Sequence, residues 1–311
     1  MRAMSLLFPG QGSQVAGMGR DVADADKDAM ELWKKAEAVS GLPLREICWE
    51  GDEKAMSDTK VLQPALTVVC LTLWQALSRH VRPTACAGHS LGEYSALAAS
   101  GALDVESALK LVSIRGALMA ESDPDGAGSM AAIVKLPLEK VEEIVAGVAR
   151  ETGLVLLVAN YNTPGQYVIS GHKQAVEMAG ALAKENKGRA LPLAVSGAFH
   201  SPLMKEAADK LASYMRKVVW HKPVCPVYSN VTACALTDGE SIREAMLKQM
   251  TSSVRWIDII RSQYADGQRA FLEVGPKPVL SKMVGRILAD APAEEYSSSC
   301  VSTLAQAEEL A

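Results

Sequence analysis

Gly88-His89-Ser90-Leu91-Gly92 is the segment of this 311-residue chain best suited to covalent chemistry. It matches G-x-S-x-G, in which a serine sits on a tight turn between strand and helix and needs small neighbours on both sides. Such a turn exposes the hydroxyl beside a helix N-terminus, where free backbone N–H groups and the helix dipole stabilise negative charge. A small-residue strand is expected at 85–87 and a helix from Leu91, so the local context agrees with the pattern. Ser90 is the candidate nucleophile, and a structural glycine turn is the plain alternative.

A serine hydroxyl is a weak nucleophile and needs a base. The histidines are His80, His89, His172, His200 and His221. His89 adjoins the serine, so its ring is expected to point elsewhere on the turn. His80 and His221 lie in charged stretches, and His172 follows an expected strand. His200 follows the small-residue loop Ser196-Gly197-Ala198-Phe199 and precedes Ser201-Pro202, a cap and first-turn pair that opens a helix. It is the best placed of the five, with a helix-start histidine as the alternative. Serine reactivity should then rise with pH through one ionisation in the histidine range.

Arg115 has Val112 and Leu118 three residues away, Leu111 and Met119 four away, and Ala108 a further turn back. It therefore sits on the buried stripe of its helix. A buried guanidinium without an anionic partner is expensive. A protein carboxylate, escape of the side chain to the surface, or a substrate carboxylate gripped by the planar fork would each answer that cost, and the residues leave the three open. Gln11 lies in the loop Pro9-Gly10-Gln11-Gly12-Ser13-Gln14, at the end of the opening strand, where ligand groups gather in α/β sheets. A turn glutamine is the plain reading there. Ser13-Gln14-Val15 follow, so G-x-G-x-x-G is not met and dinucleotide binding is not expected.

The elements that must position these residues alternate. A strand at 4–8 leads through the glycine-rich loop to helices at 28–39 and 65–77, then to the strand and turn of Ser90. Asp104 is expected to cap a helix at 105–121. Such alternation implies a mainly parallel α/β sheet. The breaker cluster at 123–128 marks a boundary. Beyond it, strands at 130–135, 154–159, 167–170 and 190–195 and helices at 138–150 and 173–185 follow the β-α-β-β-α-β order of a ferredoxin-like unit. The division expected is a discontinuous core, 1–125 and 197–311, with an inserted subdomain at 126–196. A helix from about Pro202 and strands at 227–231 and 270–274 return the chain to the core. The stretch from Ala291, small, polar and acidic, reads as a frayed tail.

Composition agrees with a globular enzyme. Hydrophobic residues make up 49% and charged residues 22%, too apolar for disorder. A net charge of −4 gives no reason to expect nucleic acid or an anionic membrane as partner. The six cysteines are scattered without a CxxC pair, which reads as free thiols in a cytoplasmic protein, with no metal site expected. The uncharged run 61–78 carries Gln63, Pro64, Thr67, Thr72, Gln75 and Ser78, which favours a buried helix over a membrane span.

Together, Phe8-Pro9-Gly10-Gln11-Gly12-Ser13-Gln14, Gly88-His89-Ser90-Leu91-Gly92-Glu93, Arg115, Gly197-Ala198-Phe199-His200-Ser201 and Glu273-Val274-Gly275-Pro276 resemble the malonyl-CoA:acyl-carrier-protein transacylase family, over residues 4 to 290. The resemblance implies an α/β-hydrolase-like core with a parallel sheet and an inserted ferredoxin-like α+β subdomain. It implies Ser90 as nucleophile, His200 as base, the backbone N–H groups of Gln11 and Leu91 as oxyanion hole, and Arg115 as clamp on a malonyl carboxylate. Gln249 falls where the family keeps a residue that orients the histidine. Phe199 before the histidine resembles malonyl-selective members. The implied partners are malonyl-CoA and acyl carrier protein, in fatty acid or polyketide synthesis, with no bound cofactor and a monomeric chain. Two rivals stand beside this reading. One is an α/β-hydrolase or thioesterase, which would order its triad serine, acid, histidine, although no carboxylate between Ser90 and His200 clearly ends a core strand. The other is a catalytically silent carrier-protein binding module.

Overall fold

The computed structural model describes residues 1–195, 197–292 and 295–310. Strand β1 (Arg2–Phe8) ends in Leu6, Leu7 and Phe8, all fully buried, an uninterrupted apolar run that suits a strand covered on both faces. Helices α1 (Arg20–Ala25), α2 (Lys27–Ser40), α3 (Leu44–Glu50), α4 (Glu53–Ser57) and α5 (Thr59–Leu77) follow. Within α5, 78% of the most apolar window is buried in the fold, as expected for a core helix. Strand β2 (Val81–Gly88) then runs into the Ser90 turn, and α6 (Gly92–Ala99) leaves it. Asp104 caps α7 (Val105–Ala120) by accepting from the Ser107 N–H at 2.7 Å.

Next come β3 (Gly128–Val134), α8 (Leu138–Thr152), β4 (Leu156–Thr163), β5 (Gln166–His172), α9 (Lys173–Glu185) and β6 (Arg189–Pro192). Their sheet has the order β4-β5-β3-β6 and every neighbouring pair is antiparallel, the ferredoxin-like arrangement expected. A 3-10 turn (Pro202–Met204) capped by Ser201 opens α10 (Lys205–Met215). Strands β7 (Val227–Tyr228) and β8 (Ala235–Leu236), helices α11 (Gly239–Gln249) and α12 (Trp256–Ala265), β9 (Ala270–Val274) and α13 (Leu280–Ile287) follow.

The larger sheet has the order β10-β9-β1-β2-β7-β8, parallel throughout except for the last pair. With helices on both faces, this is the α/β-hydrolase-like core.

Two expectations are corrected. The tail is not frayed: β10 (Ser297–Val301) pairs in parallel with β9, and α14 (Leu304–Glu309) buries Ala307. An edge strand gains its ladder from backbone groups and needs little apolar surface, and here Val301 is its one buried side chain, so the composition misleads. Ala293, Glu294 and Ala311 of that stretch lie outside the described residues. The strand expected at 227–231 stops at Tyr228. Ser229 and Asn230 then leave the sheet, both buried, and Asn230 meets the Ser90 turn.

Candidate active site

Two glycines of the turn are set by close approach. A Cβ on Gly88 would stand 1.9 Å from the backbone carbon of Gly92, and one on Gly92 would stand 1.9 Å from the Phe8 carbonyl oxygen. Only hydrogen fits at either place. Between them Ser90 has φ 51°, a left-handed conformation that an L-residue adopts at a cost. The strand-to-helix context thus sets a half-buried serine on the turn, lining a cavity.

Ser90 Oγ and His200 Nε2 are 2.7 Å apart. The other ring nitrogen, Nδ1, faces two backbone carbonyls, of Ser252 at 3.0 Å and of Gln249 at 3.2 Å. Both can only accept, so Nδ1 carries the proton and Nε2 is free to accept from the serine hydroxyl. Among the described residues no carboxylate takes that place. His200 is 4% exposed, and its pKa is pushed down to about 3, by burial first and then by the charge of Arg115 and by His89. The neutral base is therefore the resting form, and the ionisation expected in the ordinary histidine range moves well into acid.

Arg115 is 1% exposed, as its helical stripe predicts. Its Nη1 donates to Gln63 Oε1 at 2.9 Å, and its Nη2 to Ser90 Oγ at 3.0 Å and Gln249 Oε1 at 3.3 Å. All three acceptors are neutral, and among the described residues Nε has no partner. The guanidinium also lies over the Tyr94 ring at 5.7 Å. Burial lowers its pKa, against the Tyr94 phenol and the Glu93 carboxylate. The cation persists, since arginine does not lose its proton in proteins.

Gln11, Leu91, Ser90, Arg115 and His200 share a cavity of about 110 Å³, walled on its apolar side by Met119, Met130, Leu193, Val195 and Phe199. Neither the Gln11 nor the Leu91 backbone N–H has an acceptor among the described residues. Larger surface grooves, of about 720 and 640 Å³, contain none of the candidate residues.

Gln249 lies beside the histidine, but its carbonyl, not its side chain, meets the ring. The side-chain amide donates instead to the Ser90 carbonyl at 2.7 Å and to Glu93 Oε2 at 3.0 Å. His89 turns away to Asn162 Oδ1 at 2.8 Å, and His172 accepts from the Val155 N–H. Neither shares the Ser90 hydroxyl. Sequence reasoning missed Gln63, Glu93, Asn230 and the carbonyl of Ser252. Gln63 had a signal, a polar residue in an apolar helix, while a backbone carbonyl has none.

An acyl transferase domain model matches residues 6–306. The malonyl CoA-acyl carrier protein transacylase of Haemophilus influenzae is 41% identical over 294 residues, covering 93% of this chain and 94% of that one. The chain belongs to this transacylase family. The enzyme is thus an acyltransferase. The Bacillus subtilis transacylase is 41% identical across 92% of the chain and 91% of its own length. Among solved structures, an acyl carrier protein S-malonyltransferase from Vibrio cholerae superposes with a TM-score of 0.91 at 37% identity, covering both chains fully. A malonyl-transacylase in complex with its type II PKS acyl-carrier protein superposes at 0.92 with 36% identity, over 100% of this chain and 99% of that one.

Proposed function

We propose that this acyltransferase moves malonyl from malonyl-CoA to the phosphopantetheine thiol of acyl carrier protein, by a ping-pong route through an ester on Ser90. One observation carries the reading: a single serine oxygen, 2.7 Å from the free nitrogen of a neutral histidine, also accepts from a buried arginine with spare donors.

Ser90 Oγ attacks the thioester carbonyl while His200 Nε2 takes its proton. The N–H groups of Gln11 and Leu91 receive the charge that develops on the carbonyl oxygen. The C–S bond breaks, and the CoA sulfur leaves with the proton from His200. The carrier thiol then gives its proton to His200 and attacks the ester, and Ser90 regains its hydrogen as the acyl group departs. The carbonyls of Gln249 and Ser252 orient the histidine throughout. Arg115 grips the free malonyl carboxylate, a pairing of about 2–5 kcal/mol if one partner is truncated. These side chains, the thioester donor and the thiol acceptor account for the transfer, so no cofactor or metal is assigned.

The same reading divides the chain into a core of 1–125 and 197–311 and a ferredoxin-like subdomain at 126–196; Ser196 at that boundary lies outside the described residues. It places the enzyme in the cytoplasm, as a monomer that needs neither nucleic acid nor membrane, supplying fatty acid or polyketide synthesis. Some of the exposed Lys184, Lys187, Arg189, Arg216 and Lys217 form the local face that docks an acidic carrier. Lys205 and Lys210, engaged with Asp209 and Glu206, contribute less.

Radiolabelled malonyl-CoA with and without carrier protein tests the function. Label passing to the carrier supports it, release of free malonate without carrier would make the protein a hydrolase, and no turnover would leave a binding module.

A further inference from the structure

The Ser90 turn is strained at φ 51°, and such a backbone persists only where its surroundings over-determine it. Both backbone groups of Ser90 are captured by side chains. Its N–H donates to Asn230 Oδ1 at 2.7 Å, and its carbonyl accepts from Gln249 Nε2 at 2.7 Å. Asn230 Nδ2 donates to the Gly88 carbonyl at 2.6 Å, so one carboxamide spans the turn. A single carboxylate then joins the two captors. Glu93 Oε1 accepts from the Asn230 N–H, and Oε2 from Gln249 Nε2, each at 3.0 Å. Glu93, Asn230 and Gln249 are 2%, 0% and 1% exposed, so water does not compete for these bonds.

A carboxylate accepts at both oxygens. Gln249 must therefore turn its NH2 toward Glu93, which leaves its own oxygen for Arg115 at 3.3 Å. An amide at position 93 would set a donor against one of the two donors it now receives. Burying a charge here costs stability, and burial pushes the Glu93 carboxyl up to about 7 against the hydrogen bonds from Asn230 and Gln249 and the charge of Arg115. A residue that costs stability at this place has its value in arrangement.

We infer that Glu93 and Asn230 are positioning residues for acyl transfer: Asn230 fastens the nucleophile turn, and Glu93 aligns Asn230 and Gln249 and, through Gln249, the guanidinium of Arg115. The inference rests on the reading of Ser90 as nucleophile and Arg115 as carboxylate clamp. It separates two kinetic signatures. The Asn230 side chain touches only the turn, so its loss slows every acylation equally. Glu93 also reaches Arg115, so its loss lowers preference for an acyl group that bears a carboxylate.

The test uses Glu93→Gln, Glu93→Ala, Asn230→Asp and Asn230→Ala in the full chain. A fluorophosphonate probe reports Ser90 directly, fluoride leaving phosphorus as the Oγ–P bond forms, with Ser90→Ala as blank. Single-turnover loading from malonyl-CoA and acetyl-CoA follows. Both Asn230 variants should lose about tenfold to a hundredfold in probe labelling and in loading from both thioesters, at unchanged KM. The Glu93 variants should lose as much and also drop the malonyl-to-acetyl ratio about fivefold. Wild-type labelling rates in all four would overturn the inference alone. An unlabelled wild type would overturn the nucleophile reading, and the inference with it. Circular dichroism checks folding. Loss of the fold in all four would overturn the inference too, because the residues would then hold the fold and not the turn.

Discussion

The serine and the histidine are steadied by different sheets. Ser90 follows β2 of the parallel sheet, and Asn230, just past β7 of the same sheet, grips its N–H. His200 follows β6 of the antiparallel sheet. The Phe199 carbonyl beside it accepts from Ser170 Oγ of β5 at 2.7 Å. The segment whose Ser252 carbonyl meets the ring is laced to β4: Ser253 Oγ donates to the Val158 carbonyl, the Val254 N–H to Ala159, and the Tyr161 N–H to the Val254 carbonyl. One sheet thus presents the nucleophile and the other steadies its base. The 2.7 Å between them depends on how the two sheets pack.

The comparison can be broken most severely on the nucleophile side. Ser90→Ala should lose transfer by about four orders of magnitude or more. Wild type incubated with malonyl-CoA should gain one malonyl mass on the Ser90 peptide, and the variant none. An adduct on Cys86 in intact-mass and peptide mapping would defeat the ester mechanism.

On the base side, His200→Ala should slow acylation by about 10²–10⁴-fold. The depressed pKa sets the sign of the pH dependence. Imidazole with a pKa of about 3 is neutral at every higher pH, so stopped-flow acylation should not fall as pH drops through the ordinary histidine range. A half-loss near pH 6.5 would mean that His200 is not desolvated as described.

Arg115 donates to both Ser90 and Gln249, and it tests what the shared cavity selects. Arg115→Ala should cut kcat/KM for malonyl-CoA by about a hundredfold or more, following the 1.4 kcal/mol per decade relation. Acetyl-CoA should hold level or improve, because no unpaired guanidinium would then face it. Arg115→Lys should recover part of the loss, offering a point charge without the fork. An equal loss on both substrates would make Arg115 a structural cation.

Ser170→Ala sharpens the role of the antiparallel sheet. It leaves the Phe199 carbonyl buried without its donor, and should slow acylation about tenfold or less while Ser90 stays reactive. A variant with wild-type kinetics and lowered Tm would confine that sheet to stability.

The smallest effect concerns Glu93 on the serine side. Its folded pKa of about 7 exceeds the unfolded value of 4.5, so its proton is bound more tightly in the folded state. The contribution is full below about pH 4.5 and is lost as pH rises through about 7. Between pH 6 and 8 wild type should lose about 1 kcal/mol, or roughly 2 °C in Tm, that Glu93→Gln does not lose. Parallel melting curves across pH would show a carboxylate that is not buried as charge.

Local rules were enough for the parts of this protein that depend on neighbours in the chain. The glycines around Ser90, the Asp104 cap, the apolar stripe that buries Arg115 and the β-α-β-β-α-β order all follow from spacing and side-chain size within one or two elements. The edge strand β10 escaped, because backbone pairing leaves little mark on composition. What no local pattern contains is the partnership between distant atoms. His200 could be preferred over four other histidines by its context, but its tautomer is set by the carbonyls of Gln249 and Ser252, about fifty residues on. Gln249 was placed by resemblance, yet its amide serves the serine turn while its backbone serves the histidine. Asn230 reads in sequence as the end of a strand and becomes a grip on Ser90 only when β7 pairs with β2. Periodicity and propensity are properties of a few consecutive residues. Hydrogen bonds between buried polar groups are decided when the packed sheets exclude water and leave each donor one acceptor within reach.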